Sequence, residues 1–101
     1  MKRVFFKVVP ITNPNSGEVG ELDYRAYSEI AIRQPLDGKS AGIDEMHKSI
    51  RLLEALRNAK GDGVDFEDSD FDYFCLKVNA IKFNWVDPVF IEFVEDVTNA
   101  E

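Results

Sequence analysis

The chain has 101 residues, 45% of them apolar and including eight Phe, three Tyr and one Trp; this suits one small globular domain spanning 1–101 and excludes wholesale disorder. Its formal charge of −7 is uneven: residues 1–60 carry ten Lys/Arg against eight Asp/Glu, residues 61–101 only Lys77 and Lys82 against eleven acids, which argues against the basic face that nucleic acid or an anionic membrane requires. The single cysteine, Cys75, excludes an internal disulfide, and no run approaches the roughly 20 apolar residues of a membrane helix. The short apolar run Val4-Phe5-Phe6 is broken by Lys7 with no small-residue cleavage site after it, so the expectation is a reduced, cytoplasmic chain.

Residues 2–11 are rich in β-branched and aromatic side chains and predict a first strand, whose end Pro10 turns into an edge or exit. Thr12-Asn13-Pro14-Asn15-Ser16-Gly17 is a dense turn signal. From Leu22 to Arg33 the pattern is ambiguous. Leu22, Tyr24, Ala26, Ser28, Ile30 and Ile32 alternate with the intervening residues and suggest a strand paired with the first across a long hairpin. Ala26, Tyr27, Ile30 and Ala31 also line one face of a helix. The strand is preferred for the later part, because Ile30-Ala31-Ile32 leads directly into Pro35.

After a loop at 35–43 a helix is expected, with Asp44 as its cap, Met46, Ile50, Leu53 and Leu56 facing inward, Leu52 and Ala59 widening the stripe, and Gly61 supplying the left-handed stop. Val64-Asp65-Phe66 reads as a short third strand. A second helix opens at Asp68 or Ser69, where Ser69 and Asp72 form a capping-box pattern. Phe71, Phe74, Cys75, Val78 and Ile81 share one of its faces, thickened by Leu76 and Phe83, as in a central helix covered from several sides. Asp87-Pro88 starts a third helix with cap and first-turn proline in the expected order, and Phe90, Phe93, Val94 and Val97 face inward. The fold class is therefore α+β: an N-terminal β-hairpin or small antiparallel sheet packed against three α-helices.

No catalytic or cofactor constellation emerges. The acids Asp62, Asp65, Glu67, Asp68, Asp70 and Asp72 fail the spacing of a calcium loop in both registers that begin at an aspartate, 65 or 68, and they suit a helix start. His47 is the only histidine, and Cys75 lies on an apolar face where a thiol is inert. Gly38-Lys39-Ser40 lacks the first glycine of a phosphate loop. The expectation is a non-enzyme with no metal and no cofactor. Exposed Arg and Lys are sparse on the last two helices, which speaks against a DNA-reading helix.

Three aromatics are candidates for partner contact: Tyr24 and Tyr27, which a strand would send to opposite faces, and Trp85 between two helices. Open sheet edges could accept another chain by strand addition. The order of features resembles that of small accessory proteins of tailed bacteriophages, carried by the Met1–Ile11 strand with Asn13-Pro14, the Ile50-Arg51-Leu52-Leu53-Glu54-Ala55-Leu56 helix, and Phe66-Glu67-Asp68 opening the next. That resemblance implies assembly factors, minor virion components or inhibitors of host enzymes, and carries over no functional residue. The first expectation is a protein-interaction module able to self-associate. The alternative is an acidic inhibitor presenting Asp65, Glu67, Asp68, Asp70 and Asp72 with Glu92, Glu95 and Asp96 to a basic site on another protein.

Overall fold

A computed structural model of the chain describes residues 1–83 and 85–99. Residues 2–12 run almost continuously extended but change partner midway. The first half, β1 (Lys2–Phe5), pairs antiparallel with β4 (Gly63–Phe66), and the second half, β2 (Val8–Thr12), pairs antiparallel with β3 (Val19–Asp23). The switch is made at Phe6 and Lys7. The Phe6 N–H donates to the Asp62 carbonyl at 2.7 Å, and the Lys7 carbonyl accepts from the Tyr24 N–H at 3.0 Å.

Register puts Val4 opposite Val64, both buried, and sets Arg3 against Asp65 on the exposed face. In the hairpin Val9 faces Leu22, and Pro10 is tolerated because a two-stranded ribbon leaves an edge that needs no donor. Gly17, at φ 73°, closes the turn by donating to the Asn13 carbonyl at 2.8 Å. The short strand expected at 64–66 is present.

The segment 24–33 is a helix, α1 (Tyr24–Arg33), which corrects the strand expected there and makes four helices rather than three among the described residues. The reason lies in Asp23, whose carboxylate caps the helix by accepting from the Arg25 and Ala26 N–H groups. Tyr24, Ser28, Ala31 and Ile32 are then buried at helical spacing. Pro35 stops the helix by forcing Gln34 into an extended conformation.

Helix α2 (Ile43–Asn58) begins from Gly42 with no side-chain cap, so Asp44 sits in its first turn instead of capping it. Its inward residues are Ser49, Leu52 and Leu56, whereas Met46 and Ile50, expected inside, are 45% and 44% exposed. Helix α3 (Asp68–Asn79) likewise begins without a side-chain cap at Glu67, so the Ser69–Asp72 box is not formed. It packs against α1, α2, β4 and the last helix, α4 (Pro88–Thr98), as a central helix does. Phe71, Phe74 and Val78 are buried, Leu76 is exposed, and Ile81 and Phe83 lie beyond the helix end. In α4 the Asp87 carboxylate caps the Val89 N–H at 3.0 Å, and Phe90, Phe93 and Val97 face inward as the periodicity predicts.

The rotation of α2 is explained by one buried cation. Lys77 of α3 is 2% exposed. Its Nζ donates to the Gln34 carbonyl at 2.7 Å and to Glu45 Oε2 at 2.7 Å, and the same Glu45 oxygen accepts the Leu36 N–H at 3.1 Å. Glu45 must turn inward to meet Lys77, which swings Met46 and Ile50 outward. The contact ties the end of α1, the following loop and the start of α2 to the central helix. A second cross-tie runs from the Arg25 guanidinium to the Leu56 carbonyl in the last turn of α2.

Truncating Lys77 removes a buried stem and leaves Glu45 facing no cation, so Lys77→Ala should lower unfolding stability by about 3 kcal/mol. Lys77→Met, which keeps the stem, should lose clearly less in the same urea titration. The hydrogen bond from Lys77 holds the Glu45 carboxyl below its ordinary 4.5, and the N–H groups of Ser40 and Lys39 hold Asp37 below its ordinary 3.8. Both groups bind fewer protons folded than unfolded. Stability should therefore be full above those ordinary values and decline as pH falls through the lowered ones, with the slope reduced in Glu45→Gln.

Candidate functional site

Helix α3 stops at Asn79 and α4 is capped at Asp87, and the described part of the chain between them lies against α4. Its aromatic residues dictate how. Phe83 stacks on Phe90 with ring centroids 4.2 Å apart and planes 16° from parallel. Tyr27 of α1 packs beside this pair, its ring 6.0 Å from Phe83 and 6.4 Å from Phe90, and Trp85 packs against Phe90 at 5.5 Å. Each such pair adds about 0.5–1.5 kcal/mol beyond the area it buries.

The crossing leaves two hollows that share Phe83, Trp85 and Phe90. The larger, of about 630 Å³, is floored by Ile81, Phe83, Trp85, Phe90, Ile91 and Val94. The smaller, of about 200 Å³, opens towards Tyr27, Ile30 and Gln34. A volume of 630 Å³ falls in the range of binding pockets, roughly 300–1,000 Å³. Lys82, Asp87 and Glu95 stand on the rim of the larger hollow, and Val86 is fully exposed there, with Ile91 60% exposed. The indole N–H of Trp85 is buried and has no acceptor among the described residues.

Of the residues singled out from the sequence, Tyr27 and Trp85 come together here. Tyr24 does not: it is 1% exposed, which corrects its reading as a partner contact. Its hydroxyl donates to Asp96 Oδ2 at 2.8 Å, Lys7 Nζ lies 3.3 Å from the same oxygen, and its ring meets Phe93 edge-on at 5.0 Å. Burial, and then the Asp96 carboxylate, push the Tyr24 hydroxyl well above its ordinary range, so it stays protonated as a donor.

The acids divide into two groups. Four are already paired within the chain: Asp65 with Arg3 at 3.4 Å, Asp68 with the Met1 amino group at 3.0 Å, Asp70 with Arg51 at 3.1 Å, and Asp96 with Lys7. Glu67, Asp72, Glu92 and Glu95 are exposed and have no ion pair among the described residues. Glu95 alone of these lines the Trp85 hollow.

Among the described residues no three His, Cys, Asp or Glu side chains group to hold a metal ion, and no helix is long and apolar enough to cross a membrane. Gly38-Lys39-Ser40 forms a tight turn in which the Asp37 carboxylate accepts from the Lys39 and Ser40 N–H groups. Sequence reasoning singled out Trp85 but not the hollow. Its one available signal was the run Ile81, Phe83, Trp85, in which every second residue is large and apolar, continuing past the helix end.

Floor and rim separate by mutation. Phe90→Ala should cost about 3–5 kcal/mol in urea unfolding, whereas Val86→Ser and Ile91→Gln, at exposed positions, should stay within about 0.5 kcal/mol of the parent. Comparison with protein-family models, with curated proteins and with solved structures finds no match for this chain.

Proposed function

We propose that this domain is a non-catalytic protein-interaction module that receives an apolar segment of a partner in the Trp85 hollow. The observation that carries the reading is the hollow itself: large aromatic and aliphatic side chains remain open in a concavity of about 630 Å³, although a chain this short has little apolar surface to spare. Trp and neighbouring aliphatics in a concave patch are the composition of an interface anchor. The remaining chemistry fits binding better than reaction. Burial, together with the Asp72 carboxylate, raises the Cys75 thiol above its ordinary range, which suppresses the thiolate a nucleophile would need. The resemblance to phage accessory proteins would place such a module among assembly or structural factors.

The acidic-inhibitor reading draws on Glu67, Asp72, Glu92 and Glu95. It is weakened by the pairing of Asp65, Asp68, Asp70 and Asp96 inside the chain, which leaves fewer charges for another protein.

Selection of a random-peptide display library on the immobilised domain tests the module directly. The expected result is a recurring consensus with bulky apolar anchors whose retention falls sharply on the Val86→Ser/Ile91→Gln double variant. No consensus, or one retained equally by that variant, would overturn the reading.

A further inference from the structure

Resting on the Trp85 hollow as the docking site, we infer that its occupant is a basic amphipathic helix, with apolar anchors on one face and Lys or Arg beside them.

The shape selects a helix. The hollow is a trough lying along α4, lined from Asp87 at the helix cap to Asn99 beyond the last turn. An 11-residue helix is about 16 Å long, roughly three turns. One wall is α4 itself, through Ile91 and Val94, and the other is the crossing segment that bears Ile81 and Trp85. A trough of that length between a helix and a second wall accepts another helix lying alongside, whose residues at i, i+3 or i+4, and i+7 enter it.

Charge selects the flanks. Asp87 and Glu95 stand on the rim, and Glu92 is exposed on the same helix. Lys82 is the single rim cation among the described residues. Glu92 and Glu95 have no ion pair among the described residues, and the whole segment 61–101 carries eleven acids against two lysines. An acidic partner helix would meet repulsion at both ends of the trough. A basic one would meet carboxylates that are still free. A second copy of this chain is a poorer fit, because its exposed apolar helix face on α2 offers only Ile43, Met46 and Ile50, with the acids Asp44 and Glu54 standing among the cations Lys48, Arg51 and Arg57, of which Arg51 is already held by Asp70.

The test uses a Leu/Lys amphipathic helical peptide and a Leu/Glu peptide of equal length, titrated against the full chain and read by the emission of Trp85, the only tryptophan. The Leu/Lys peptide should bind saturably and weaken by roughly tenfold between low and high salt. It should also weaken in the Val86→Ser/Ile91→Gln variant and hold in Asp65→Asn/Glu67→Gln, whose acids lie outside the trough. Equal binding of the Leu/Glu peptide would overturn the basic partner and leave the docking site standing. Binding lost with Asp65 and Glu67 but kept without Val86 and Ile91 would overturn the inference as diffuse attraction to acidic surface. Binding of neither peptide, with an uncharged or acidic display consensus, would overturn the inference alone. A concentration-dependent emission shift without peptide, matched by a doubled mass in light scattering, would overturn it in favour of a second copy.

Discussion

The stack of Phe83 on Phe90 is the contact on which the functional half of the molecule depends. Helix α3 ends six residues before Trp85, and among the described residues no helix or strand carries the chain from there to the cap at Asp87. Two nearly parallel rings at 4.2 Å, buttressed by Tyr27, hold that crossing against α4. Without it Trp85 has no fixed position, and the trough beside α4 has only one wall. A surplus of aromatics in a short chain is thus not spent wholly on the core. Part of it shapes a surface.

The other end of the helical layer depends on polar chemistry. Lys77 reaches three separate stretches of chain with one ammonium group, through Gln34, Glu45 and, by way of Glu45, Leu36. Desolvating a cation is unfavourable, and the contact is sustained because Gln34 and Glu45 each supply an oxygen at 2.7 Å, while the Leu36 N–H steadies the Glu45 carboxylate. The surface ion pairs, such as Arg3–Asp65, add little to stability by comparison, since exposed pairs are weak and screened by salt. Their effect is to neutralise part of the acidic charge exposed on the surface. The free negative charge that remains is therefore concentrated on fewer residues, among them Glu92 and Glu95 of α4.

These two contacts also explain what could be read from the residues alone. Helix α4 was legible because cap, proline and apolar period agree over one short stretch. The β4 strand was legible from Val64 and Phe66 flanking a polar residue. The segment 24–33 was not, because Leu22 to Ile32 satisfies both a period of two and a helical face. The deciding feature is a cap by Asp23, one residue before the ambiguity becomes severe. The orientation of α2 was hidden for a different reason: a lysine inside a helix is ordinarily a surface residue, and nothing local marks Lys77 as buried or Glu45 as its partner. Trp85 could be named as a partner candidate, but a hollow is a property of how three segments meet. Tyr24 misled for the converse reason, since its role is set by Asp96, far along the chain.

The central claim is that the segment bearing Trp85 is held against α4 in the free protein, so that the trough exists before a partner arrives. Acrylamide quenching of Trp85 fluorescence, compared with free N-acetyltryptophanamide, tests it most directly, since no other tryptophan contributes. A half-buried indole with a buried N–H predicts blue-shifted emission and a quenching constant several-fold lower than that of the free amide, rising towards it in Phe83→Ala. Emission and quenching equal to the free amide in the parent protein would contradict the account, because the second wall of the trough would then be missing.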